Sequence, residues 1–180
     1  MNKFSGKYRI NSTRLQNWDY SWKGKYFITI CTRGFDECFG EISDGKIYLS
    51  KLGIETELQW RNTISLRPDM NLTLHEFQVM PNHFHGIVDI GRNYYNDYNS
   101  KNKTEMGPKN KFGPQSKNLA SVIRGFKGAV TTYARKNKIL FDWQPRFHDH
   151  LIRNDQEFLK IKWYIINNVK NWSNDRFTGK

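Results

Sequence analysis

Apolar and polar residues alternate in short runs over the first half of the chain and recur at helical spacing over much of the second. Tyr26-Phe27-Ile28-Thr29-Ile30-Cys31-Thr32 is dense in β-branched and aromatic residues and predicts a strand. Phe39-Gly40-Glu41-Ile42 and Lys46-Ile47-Tyr48-Leu49 flank Asp44-Gly45, which predicts a hairpin. Ser50 is placed to cap a helix to about residue 64, with Leu52, Glu55, Leu58 and Gln59 at helical spacing. Leu74 to Val79 and Phe84 to Ile90 predict two further strands, broken at Met80-Pro81-Asn82. Beyond Leu119 the helical period returns, with Leu119, Val122, Ile123, Phe126, Val130 and Tyr133 near one face. Trp143 to Ile152 reads as a short strand or loop, and a last helix starts near Asp155 as its N-cap and runs through Tyr164 to about Asn171. With no internal repeat, this order predicts an α+β sandwich, a mainly antiparallel sheet with helices packed against it.

Residues 91–118 break the pattern: they are rich in Asn, Lys, Gly and Tyr, carry Gly107-Pro108 and Gly113-Pro114, and show no period. They predict a flexible insertion within one domain spanning 1–180 rather than a linker between two. Composition then narrows the partner. The mean hydropathy of −0.79 is low, so the core must come from few large side chains, and aromatics at 15% supply them. Lys and Arg number 29 against 17 Asp and Glu, a net charge of +12 that favours a polyanion such as nucleic acid. Cys31 and Cys38 are too few for a disulfide scaffold and lack zinc-finger spacing, so both read as free thiols of a reducing compartment. No apolar run has the length of a membrane span, and the first residues lack a secretory signal. The expected place is the cytoplasm, on the nucleoid when bound to DNA.

His83-Phe84-His85 opens a predicted strand, where alternation puts both imidazoles on one face and Phe84 on the other, buried one. Such a pair is either a rigid set of metal ligands, without naming the metal, or a chance pairing in a strand. Tyr164 and Asn168, four residues apart, share a helical face one turn apart. They fit a nucleophile and an oxygen ligand beside the histidines, or, as is commoner for an aromatic taken by itself, a core aromatic and a helix-end cap. A hydrolase using metal-activated water would need a carboxylate as well, and only Glu76 and Asp89 lie near the pair in sequence.

Met80-Pro81-Asn82-His83-Phe84-His85-Gly86-Ile87-Val88 resembles the HUH segment of the IS200-like (Y1) transposases. Trp143 to Phe147, Ile152-Arg153-Asn154, Trp163-Tyr164-Ile165 and Asn167-Asn168-Val169-Lys170 are similar to the C-terminal half of the REP-associated tyrosine transposases. Arg14-Leu15-Gln16-Asn17-Trp18-Asp19-Tyr20 and the strand at 26–32 look like the same group, so the resemblance covers most of the chain outside 91–118. It implies a ferredoxin-like fold and cleavage of single-stranded DNA beside a hairpin, assisted by a divalent metal, Mg²⁺ or Mn²⁺. His83, His85 and Asn168 would hold the metal, and Tyr164 would form a covalent 5′-phosphotyrosine whose free 3′-OH partner can reseal the strand. Relatives carry a proline in the Asn-Pro-Val-Lys stretch that is absent from Asn168-Val169-Lys170. A homodimer is a further implication, since some members pair and some exchange the tyrosine helix. Arg14, Arg124, Lys127, Arg146 and Arg153 are candidate phosphate contacts, and Trp18 and Tyr20 candidate base-stacking residues. His148-Asp149-His150, a second His-x-His, reads as structural or close to DNA. A catalytically retired domain that only binds hairpin DNA is the competing class.

Overall fold

Two long antiparallel strands carry the site. A computed structural model describes residues 3–4, 7–8, 18–97, 116–175 and 177–178. Two-residue strands β1 (Lys3–Phe4) and β2 (Lys7–Tyr8) pair with each other near the N-terminus, and Arg14 lies outside the described residues. The main sheet holds β3 (Gly24–Cys31), β6 (Leu72–Met80), β7 (His83–Ile90) and β8 (His148–Ile152). A separate hairpin, β4 (Gly40–Ser43) and β5 (Lys46–Leu49), turns at Asp44-Gly45 as expected, both at positive φ. The helices are α1 (Lys51–Asn62), α2 (Leu119–Lys136) and α3 (Asp155–Asn167).

The sheet order is β6-β7-β3-β8 with every neighbour antiparallel. Chain order β3-α1-β6-β7-α2-β8 with each crossover skipping one strand is the ferredoxin-like arrangement, with the hairpin and α3 added to it. Sequence alternation sorts the two faces. Tyr26, Ile28 and Ile30 of β3 and Phe84, Val88 and Ile90 of β7 pack against Trp60 of α1 and Phe126 of α2 in the larger core. Phe27 and Ile87, with Ile152 of β8, form a smaller cluster under Phe158, Ile161 and Ile165 of α3. Two helices therefore cover one face, and α3 lies over the other.

Local chemistry fixes the ends. Ser50 Oγ accepts the N–H of Gly53 and donates to the carbonyl of Cys38, starting α1 where expected. Gly53 is required there because a Cβ would sit 2.0 Å from the Phe39 carbonyl oxygen. Asn118 and Ser121 form a capping box at α2. At α3 the N-cap is Asn154, whose Oδ1 accepts from the Glu157 N–H, and not the expected Asp155, which is the first helical residue. The α-helix also stops at Asn167 rather than near Asn171, and the chain tightens to a 3₁₀ turn at Trp172–Asn174.

The margins of the expected insertion are tied to the body. Asn93 donates to the Met70 carbonyl, Asn96 to that of Ser21, and Tyr95 and Lys117 both bind Asp69. Residues 98–115 lie outside the described residues. Cys31 and Cys38 are in no disulfide among the described residues. Among the described residues no helix is long and apolar enough to cross a membrane.

Candidate active site

The turn at Met80-Pro81-Asn82 delivers His83 and His85 onto the α3 face, while Phe84 is buried against Trp60 and Phe126. The glycine that follows is forced: a Cβ on Gly86 would meet the Phe84 ring at 2.8 Å and Trp60 at 3.0 Å. The two imidazoles lie edge to face with centroids 4.5 Å apart. Thr29, opposite His85 in the ladder, places its hydroxyl 2.9 Å from His85 Nδ1. Asn82 Nδ2 donates to the Phe177 carbonyl at 2.9 Å, so its Oδ1 is the atom 2.8 Å from His83 Nδ1. A carbonyl oxygen only accepts, so His83 Nδ1 carries the proton and Nε2 keeps the lone pair a metal would use.

Tyr164 projects from α3 with its hydroxyl 3.1 Å from His85 Nε2 and its ring edge-on to Phe27. Just over a third of the residue remains exposed, enough for a substrate to approach. Asn168 is the α3 C-cap, 1% exposed, and its Nδ2 donates to Asp175 Oδ2 at 3.0 Å. Asn168 Oδ1 is buried with no hydrogen-bond partner among the described residues. Asp175 was not foreseen. Its Oδ1 accepts the Phe177 N–H at 2.8 Å, and its Oδ2 lies 3.5 Å from the Tyr164 hydroxyl. One ligand atom each from His83, His85 and Asp175 falls within 4.8 Å of the others. Two imidazole nitrogens and a carboxylate make a mixed N/O donor set suited to a divalent first-row ion, and the Asn168 amide is joined to it through Asp175.

Both histidines are wholly buried. The chain after α3 folds back over them: Phe177 lies 4.6 Å from His83 and 6.2 Å from His85 by ring centroids, stacked on Phe35, with Trp172 6.0 Å from His83. A phosphate reaching His83 would have to displace this aromatic cover, whereas His85 also borders a depression beside Tyr164.

The remaining candidates scatter. Tyr20 is buried against Tyr26, and Trp18 donates its indole N–H to the Tyr26 hydroxyl, so both rings fasten the entry to β3. Arg124 and Lys127 belong to α2, across the sheet from the histidines. Lys127 donates to the carbonyls of Gln144 and Arg146 over the Trp143 ring, and burial holds its ammonium below the usual range. Arg146 and Arg153 are exposed. His148 and His150 lie on edge strand β8, facing α3. Glu76 pairs with Lys162 and Asp89 faces His75 at 4.0 Å, so neither joins the pair. The only sequence cue to Asp175 was an acid, rare in this basic chain, between Trp172 and Phe177 just past the tyrosine helix.

No protein-family model matches the chain. An uncharacterized protein of Haemophilus influenzae is 34% identical over 176 residues, covering 96% of this chain and 94% of that protein. A REP-associated tyrosine transposase solved with a REP hairpin superposes with a TM-score of 0.54 at 19% identity, over 90% of this chain and 74% of that one. A transposase candidate from Deinococcus radiodurans aligns at 11% identity over 89% and 97% of the two chains, with a TM-score of 0.41.

Proposed function

The chain belongs to the family of that Haemophilus influenzae protein and has an IS200/Y1 transposase-like fold, and on this footing we propose that it is an HUH-type tyrosine nuclease. It cleaves and rejoins single-stranded DNA beside a hairpin. The observation that carries this reading is the Tyr164 hydroxyl at 3.1 Å from His85 Nε2, next to a second histidine and a carboxylate. In the reaction the Tyr164 oxygen bonds to phosphorus, the bond from phosphorus to the 3′-oxygen breaks, the phenol loses its proton and the departing oxygen gains one. The product is a 5′-phosphotyrosine and a free 3′-OH, and the reverse attack reseals the strand. His83, His85 and Asp175, with Asn168 bonded to Asp175, would hold Mg²⁺ or Mn²⁺, which when bound polarises the phosphodiester and offsets its growing charge. Asn82 and Thr29 hold the imidazoles in orientation.

The test is incubation with a labelled hairpin oligonucleotide bearing unpaired flanks, with Mg²⁺ or Mn²⁺, followed by denaturing electrophoresis. A denaturant-resistant adduct is expected from the native chain and none from Tyr164→Phe; an adduct from the variant sinks the nucleophile assignment. One observation favours binding without chemistry, the burial of both histidines beneath Phe177 and Trp172. That reading predicts hairpin binding with no adduct under any metal.

The homodimer implied by the resemblance has a matching surface, since Leu159, Trp163 and Ile166 lie exposed at helical spacing along α3. If this stripe joins two copies, Trp163→Glu converts a dimer to a monomer in sedimentation. A native chain that stays monomeric at every concentration removes the idea.

A further inference from the structure

The second His-x-His sits beside the nucleophile without joining the metal donors. On β8, His150 lies opposite Phe27 and His148 opposite Thr29, so both project on the face that carries His85. With Lys160 and Ile161 of α3 they border a depression of about 540 Å³ whose wall includes Tyr164 and His85. The floor is apolar, because Phe27 and Ile161 belong to the cluster beneath α3. The rim is polar and set in place. His150 Nε2 lies 2.7 Å from Glu157 Oε1, while Glu157 Oε2 accepts the Arg153 N–H at 2.7 Å. Among the described residues, the one group of His, Cys, Asp and Glu that converges tightly enough to hold an ion is His83, His85 and Asp175, so this depression is not a second metal centre.

An aromatic floor with a hydrogen-bonding rim suits an unstacked nucleobase, which has apolar faces and a polar edge. We propose that the depression receives the unpaired base of the nucleotide adjoining the scissile phosphate, its face on Phe27 and Ile161 and its edge toward His148 and His150. Lys160 then lies toward the connecting phosphate. A base within a duplex has its edge occupied and its faces stacked, so the same depression selects single strands. The proposal rests on the nuclease reading above and adds to it the residues that read the strand.

Binding in a Tyr164→Phe background tests it without needing cleavage. Hairpin oligonucleotides with unpaired flanks, each carrying one abasic residue at successive unpaired positions, are titrated against the full chain by fluorescence anisotropy. One abasic position is expected to weaken binding about tenfold, the scale of a lost base–aromatic stack. Adding His148→Ala and His150→Ala, both at exposed positions, should weaken the intact oligonucleotide and flatten the series. A series that is flat from the start, or that keeps its dip in the combined variant, overturns the subsite while leaving the nuclease reading standing. No binding of any oligonucleotide overturns both, and an adduct from the native chain that is indifferent to the same abasic scan overturns the subsite alone.

Discussion

Asn82 places a proton on its neighbour. Because its amide nitrogen is committed to the Phe177 carbonyl, its oxygen holds His83 in the tautomer whose Nε2 faces the site. Asn82→Leu removes that acceptor, and the expected result is Mn²⁺ affinity about 10–100-fold weaker by calorimetry with the fold intact. Unchanged affinity would show that the ring is oriented by something else. Asp175→Asn keeps the shape and removes the charge, so metal affinity should fall there as well. The histidine pair was legible because strand alternation dictates which side chains share a face, and His83 and His85 do lie together. Asp175 was not, since it reaches the site through a 3₁₀ turn with no period to read. The surroundings of Lys127 were not legible for a related reason: the carbonyls of Gln144 and Arg146 that its ammonium bonds come from a loop whose path no local pattern specifies.

The element that matters most is α3, which carries Tyr164. Asn154→Ala removes its cap and should cost about 1 kcal/mol in chemical denaturation, with Tyr164 chemistry weakened less than by Tyr164→Phe. Glu157 in its first turn is held below the usual glutamate range, first by the Arg153 N–H and then by His150. A carboxyl whose pKa is lowered by folding stabilises the fold above its unfolded pKa, about 4.3, and loses that contribution as pH falls through the lower folded value. Thermal melts should therefore lose stability over that acid window in the native chain and less so in Glu157→Gln. In α1, Gly53→Ala should destabilise by about 1–3 kcal/mol, because the added methyl meets the Phe39 backbone. Elements with a strong period were legible in kind but not in extent. β3 begins at Gly24 and β6 at Leu72, earlier than their apolar runs suggest, because pairing with β7 extends both. Asp155 loses the cap to Asn154 because either side chain can cap, and the β8 exit decides which is in register.

At the scale of the molecule, the sheet separates the larger core from the candidate site. One face and two helices form the larger core, and the other face offers Phe27, His83 and His85 to α3. The ferredoxin-like order was legible through the run of strand and helix periods together with the motif resemblance, whereas the packing of Trp172 and Phe177 over the histidines depends on aromatic contacts between segments far apart in sequence. With a net charge of +12, hairpin affinity should fall steeply and linearly in log–log form with salt. An affinity that ignores salt would argue against a nucleic-acid partner. The most direct test of the whole account is mass spectrometry of proteolytic peptides after reaction with a hairpin oligonucleotide and Mn²⁺. The account predicts a nucleotide joined through phosphate to Tyr164 alone among the nine tyrosines, and a nucleotide on another residue, or cleaved DNA with no modified peptide, would contradict it.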